Sequence, residues 1–268
     1  MGRNGQYLGK DRNTRCPAPK EKKMRKLAAG NWKMNGTRAS LSELEAINAA
    51  LDDTDPAVVI CPPASLLIPA CDMGGTIGIG AQDCHMVSSG AHTGDISARQ
   101  IADTGATYVI IGHSERRTDY GETSDMIKAK AQAAHKAGLI AIVCIGETLA
   151  EREAGETLNV LGQQMSGSIP VGATSQNTVI AYEPVWAIGT GLVPTLDQID
   201  EAHRFMRAEL LTALGADAQN ISLLYGGSVK GSNADEIFSV PDVDGALVGG
   251  ASLSAHDFVP IIKALARA

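Results

Sequence analysis

Residues 181–191 read AYEPVWAIGTG, and the architecture can be worked out from this stretch in both directions. Thr178, Val179 and Ile180 lead into it as a β-branched, apolar run that predicts a strand. Glu183 stands where that strand should end, and Pro184 biases it toward extended backbone and away from helix. Val185, Trp186, Ala187 and Ile188 are too apolar for an idle solvent loop. Gly189 and Gly191 close the segment with residues free to take positive φ. An apolar flap between a proline and two glycines suits a lid that closes over a ligand and keeps water out.

The same sequence of events, an apolar strand, then polar or glycine residues, then a helix, recurs along the chain. Strands are predicted at Leu27–Trp32, Val58–Cys61, Ile77–Gln82, Tyr108–Gly112, Ile140–Ile145, Ser222–Tyr225 and Gly245–Val248, besides the one that ends at Glu183. Helical spacing falls between them at 40–51, 98–103, 124–137, 149–165, 195–214, 233–238 and 256–266. Ser124 reads as an N-cap, and Gly138 and Gly215 as stop signals. Residues 84–97 form a long loop rich in Gly and Ser. Near-continuous apolar strands alternating with helices mean a parallel sheet buried on both faces. Eight such units in one domain-sized chain predict a closed (β/α)8 barrel, a single α/β domain over residues 24–268. The alternative, a doubly wound sheet, would have fewer strands and a Gly-rich dinucleotide loop after the first; here that strand ends in Asn31, Trp32 and Lys33.

The composition narrows the functional classes. The chain has 268 residues, 44% hydrophobic and only 4% aromatic, so the core must be built from Ala, Val, Ile and Leu. Net charge is −7, which argues against a nucleic-acid function for the body. No apolar run is long enough to cross a bilayer, and no membrane partner is expected. The five cysteines, Cys16, Cys61, Cys71, Cys84 and Cys144, form no CxxC pair, which suggests reduced thiols in a cytoplasmic protein. Residues 1–23 carry seven basic and two acidic side chains without hydrophobic period and read as a disordered leader; Met24 stands just before the first strand. A basic arm for anionic partners or a targeting peptide is the other reading of that segment.

The polar residues gather at one kind of place, the C-terminal ends of strands. Asn31 and Lys33, His113 and Glu115, Glu183, Ser228, and Gly249 with Gly250 all stand there, and in a barrel those ends converge on one face. The set suits proton transfer next to a carbonyl. Glu183 can take a proton from carbon, His113 can donate a hydrogen bond to the carbonyl oxygen, and Lys33 can supply a positive field for the growing charge. The glycines after the last two strands suit phosphate bound by backbone N–H groups. The histidines show neither HExxH spacing nor pairing with cysteines, so no metal centre is expected.

These stretches closely resemble the triosephosphate isomerase family. The matching residues are 30–36 (GNWKMNG), 112–117 (GHSERR), 181–191, 225–229 (YGGSV) and 247–252 (LVGGAS), in family order from about Met24 to the end. The resemblance implies interconversion of dihydroxyacetone phosphate and glyceraldehyde 3-phosphate through an enediolate, with no cofactor or metal. It implies Glu183 as base, His113 as a neutral imidazole electrophile, and Asn31 and Lys33 as substrate contacts. It implies Gly189, Ser228, Gly249 and Gly250 as a phosphate cradle, and Glu115 as the partner that holds Lys33. A homodimer is implied too, with Thr93 in the loop that reaches the neighbouring subunit. In that loop Asp95 stands where the family usually has Glu, and His92 where it usually has Phe, so an intersubunit pair of Asp95 with Arg116 would form with one methylene less. Leu192, Val193 and Pro194 also depart from the commonest lid hinge. The alternative without chemistry is a barrel that only binds a phosphosugar or a partner.

Overall fold

A computed structural model describes residues 26–190 and 192–268. The expected leader at 1–23 lies outside the described residues, as do Met24, Arg25 and Gly191.

Among the described residues, eight parallel strands close into a barrel with each strand beside its sequence neighbours. They are β1 (Leu27–Asn31), β2 (Ala57–Cys61), β3 (Gly78–Ala81), β4 (Tyr108–Ile111), β5 (Ile140–Ile145), β6 (Thr178–Tyr182), β7 (Ser222–Tyr225) and β8 (Gly245–Val248). The helices between them are α1 (Ser42–Ala50), α2 (Leu67–Asp72), α3 (Ala98–Asp103), α4 (Ser114–Asp119), α5 (Ser124–Lys136), α6 (Leu149–Glu153), α7 (Thr157–Ser168), α8 (Leu196–Leu214), α9 (Ala234–Phe238) and α10 (Ala255–Arg267). The closed (β/α)8 TIM barrel expected from the alternation is the observed fold.

Strand periodicity divides the core in two. Leu27, Ala29, Val59, Ile110, Ile142, Val179, Ala181, Leu224 and Leu247 cluster together, whereas their neighbours Ala28, Ile60, Val109, Ile111, Val143 and Ile180 pack in a separate cluster that includes the helices. Successive side chains point to opposite faces of a strand, so one set fills the barrel and the other its outer layer. Cys61 and Cys144 belong to the smaller cluster and are fully buried; burial pushes the Cys61 thiol up to about 12. They act as small apolar residues. Cys61, Cys84 and Cys144 are in no disulfide.

Local chemistry accounts for the departures from the expected elements. The helix expected over 149–165 is two helices, because Gly155 takes φ +75° between them. The N-cap of α5 is Thr123, whose hydroxyl accepts from Met126 N at 3.3 Å, and Ser124 is the first helical residue. Helix α4 was not legible at all, since SERRTD has no apolar period. Gly215 ends α8 at φ +80°, as its position predicts.

The seam between β1 and β8 depends on one glycine. Gly245 has φ +151°, and a Cβ built on it would lie 1.9 Å from the Leu27 carbonyl oxygen. Gly245→Ala is expected to destabilise the protein by more than about 3 kcal/mol, since neither backbone can yield without opening the barrel. Denaturant unfolding checks this; a loss below about 1 kcal/mol would show that the seam can shift.

Candidate active site

Each strand delivers its next inward residue to the same rim. Val179 and Ala181 point into the barrel, so Glu183 follows on that face; Leu27 and Ala29 place Asn31 likewise. Both are buried, Glu183 at 2% and Asn31 at 6% exposure.

Lys33 follows with φ +52°, an unusual backbone for a residue with a side chain. Its peptide is held on both sides. Asn31 Oδ1 accepts from Lys33 N at 3.0 Å, and Gln82 Nε2 donates to Lys33 O at 2.8 Å and to Cys61 O at 2.9 Å. The strained turn aims the ammonium across the rim, where Nζ pairs with Glu115 Oε1 at 2.5 Å. Trp32 Nε1 donates to Ser252 O at 2.9 Å and ties this turn to the loop after β8.

His113 caps α4: Nδ1 accepts from Glu115 N at 3.2 Å, while Nε2 lies 3.0 Å from Glu183 Oε1. Ser114 N donates to Glu183 Oε2 at 3.1 Å. Burial alone would raise the Glu183 pKa, but His113 and the Ser114 amide outweigh it and keep the carboxyl below its ordinary value. Burial alone would lower the His113 pKa, and the adjacent Glu183 carboxylate lifts it instead. The Glu115 amide opposes that lift, because an imidazolium would have no lone pair left at Nδ1 to accept it. With Nδ1 accepting, the neutral ring carries its proton on Nε2, on the side of Glu183. Most of the charge favouring the cation comes from Glu183, with Glu115 adding to it and Lys33 opposing it.

The segment expected to act as a lid begins as a turn of 3-10 helix at Val185–Ala187. Gly189 has φ +69°, and Thr190 Oγ1 donates to Trp186 O at 2.7 Å. Ser228 Oγ donates to Ala187 O at 3.0 Å, so the loop after β7 touches the lid directly. Gly249 lies beside the Lys33 side chain, 3.6 Å from its Cε to an added Cβ, and an added Cβ on Gly250 would meet no protein atom within 4 Å. Packing does not demand glycine at those two positions. It does at Gly226 and Gly227, where a Cβ would come 2.8 Å from Glu183 Cγ and 2.1 Å from the Tyr225 hydroxyl, so packing by itself accounts for the first glycine pair.

The family model described as triosephosphate isomerase matches residues 26–265. This chain belongs to the triosephosphate isomerase family. It is 64% identical over 244 residues to the triosephosphate isomerase of Ruegeria sp. (strain TM1040), covering 90% of this chain and 98% of that one. It is 57% identical over 247 residues to that of Rhizobium meliloti (strain 1021), covering 90% and 96%. The crystal structure of triosephosphate isomerase from Bartonella henselae superposes with a TM-score of 0.85 at 49% identity, covering 90% of this chain and 98% of that one.

Against the family motifs, two rim residues were missed by sequence reading. Gln82 ends the β3 run, yet only folding reveals that it holds Lys33. Glu147 is fully buried behind the lid, where its Oε1 accepts from Tyr182 OH at 3.1 Å and Trp186 Nε1 at 3.0 Å. Burial is the main cause of its raised pKa. A signal existed: Glu147 stands just past β5, where the other polar residues of the family site stand relative to their own strands. Thr93 is exposed on the loop between β3 and α3.

That loop also brings His85, His92 and Asp95 together, with ligand-type atoms all within 4.8 Å of one another. Sequence spacing gave no hint of it, since loop folding makes the cluster. Val87 N donates to His85 Nδ1 at 3.2 Å, which puts the ring proton on Nε2, the atom facing Asp95 Oδ2 at 3.7 Å. A cation at Nε2 would have to displace that proton and, with the proton moved to Nδ1, the Val87 bond as well.

Proposed function

We propose that this barrel interconverts dihydroxyacetone phosphate and glyceraldehyde 3-phosphate, with Glu183 as base, His113 as electrophile and Lys33 as electrostatic stabiliser. The observation that carries the residue roles is the rim chain itself, in which a carboxylate, an imidazole and an ammonium lie within one connected network. Glu183 takes a proton from the carbon beside the carbonyl. The electron pair moves onto the carbonyl oxygen, which receives a hydrogen bond from His113 Nε2–H, and Lys33 offsets the charge of the enediolate. Returning the proton to the neighbouring carbon completes the isomerisation. Asn31 keeps Lys33 in its strained turn and faces the same rim. Gly189, Ser228, Gly249 and Gly250 receive the phosphate; the lack of any packing demand for glycine at 249 and 250 supports that reading. Glu115 pairs with Lys33 until substrate takes over the ammonium. No step requires a cofactor.

A coupled assay of glyceraldehyde 3-phosphate isomerisation tests this against a barrel that only binds phosphosugars. His113→Gln should lower kcat by about 10- to 100-fold with KM little changed, since glutamine still donates a hydrogen bond but from a displaced atom. A change confined to KM would remove His113 from the chemistry.

The chain would act as a homodimer in the cytoplasm, with the loop around Thr93 docked on the second subunit. The expected pair of Asp95 with the partner copy's arginine at position 116 would have competition, because Arg116 already binds Asp83 at 2.9 Å and Glu122 at 2.6 Å within its own chain. Among the described residues no helix is long and apolar enough to cross a membrane. Sedimentation or light scattering tests the subunit number.

A further inference from the structure

Glu183 sits beside open space. A cavity of about 170 Å³ is lined by Glu183, Val185, Gly146, Gln164, Ser114 and Arg117, among others, so side-chain packing does not confine the carboxylate on that side. Besides the contacts of the carboxylate with His113 and Ser114, backbone confines the residue. Glu183 N donates to Ile145 O at 2.7 Å, and Val185 N donates to Glu147 O at 3.0 Å, so the end of β5 grips the peptides on both sides of Glu183. Between those two grips stands Gly146. A Cβ on it would lie 1.7 Å from the Glu183 carbonyl oxygen, so the two backbones are in direct contact. The Gly146 peptide groups take no part in the strand ladder. One side chain satisfies both: Gln164, on α7, accepts from Gly146 N at 2.9 Å and donates to Gly146 O at 2.9 Å.

We propose that Gln164 is a positioning residue for the base, acting through Gly146 on the Glu183 backbone. This rests on the assignment of Glu183 as base. A primary amide carries a donor and an acceptor in a single planar group, and so meets a peptide N–H and its C=O together. Removing it leaves two peptide groups to find other partners next to a cavity, and the strand end they belong to sets where Glu183 stands. A shift well under the size of a side chain matters here, since a displacement of about 1 Å can cost on the order of 10²-fold in rate.

The test is steady-state kinetics of Gln164→Leu and Gln164→Glu across pH, with thermal unfolding recorded alongside. Gln164→Leu should lose about 10- to 100-fold in kcat, with KM within about threefold of native. Native kcat in a folded Gln164→Leu protein, or a loss that falls on KM alone, overturns the proposal. Should Gln164→Leu not fold, Gln164→Glu decides. Its ionised carboxylate keeps the bond from Gly146 N but cannot donate to Gly146 O, and its protonated form restores both. The ratio of its kcat to native should therefore rise as pH falls; a flat ratio overturns the proposal, since a purely structural residue would move stability without that profile. Glu183→Asp separates the two readings: near-native turnover there sinks the base assignment itself, whereas an impaired Glu183→Asp beside native Gln164 variants sinks only this inference.

Discussion

Glu183→Asp is expected to retain the barrel and lose roughly 10²-fold in kcat, because one methylene withdraws the carboxylate by about 1 Å from a carbon it must reach. The backbone at 183 is held independently of the side chain, by Ile145 O and by the peptide of Gly226, whose N donates to Tyr182 O at 2.7 Å. Aspartate therefore cannot recover the distance by moving its own Cα. The shorter acid should also sit less well on His113 Nε2 and Ser114 N, which now share its two oxygens. KM should change little, since the proposed phosphate contacts at Gly189, Ser228, Gly249 and Gly250 are left in place. Turnover within a few-fold of native would mean that some other group takes the proton.

Lys33→Met is expected to lower kcat/KM by about 10²- to 10³-fold, the range seen when one preorganised stabiliser of a developing oxyanion is removed. Methionine keeps much of the stem beside Gly249 and deletes only the charge. Both kcat and KM should suffer, because the ammonium faces charge in the substrate as well as in the enediolate. Glu115, half exposed, then loses its 2.5 Å partner and adds repulsion for an anionic substrate. Inorganic phosphate binding, measured separately, should weaken in the same variant. Turnover within about threefold of native would show that the positive field comes from elsewhere.

Much of this site was legible because barrels expose their chemistry in a regular place. Asn31, Lys33, His113, Glu115, Glu183, Ser228, Gly249 and Gly250 could be picked out just past apolar strands, and the family motifs added Gly189 to the phosphate contacts. Glu147 obeyed the same rule and was passed over, since a lone glutamate after a strand looks like any surface charge until burial is known. Gln82 and Gln164 were out of reach for a different reason. Their work is done through backbone groups of residues distant in sequence, and nothing local in either helix or loop marks an amide that will meet Lys33 O or Gly146.

Sequence alone determined the alternation of strands and helices, the eightfold count, the face on which function gathers and the family. Those follow from near-continuous apolar runs, from Gly and Pro punctuation, and from motifs whose residues are contiguous. Tertiary structure alone decided which glycines packing requires, how Lys33 is held at φ +52°, and how Glu183 rests between His113 and Ser114. The physical reason is range: propensity and periodicity act over a few residues, whereas a strained turn, a buried charge pair and a backbone clamp exist only once chain segments tens of residues apart have been brought into contact.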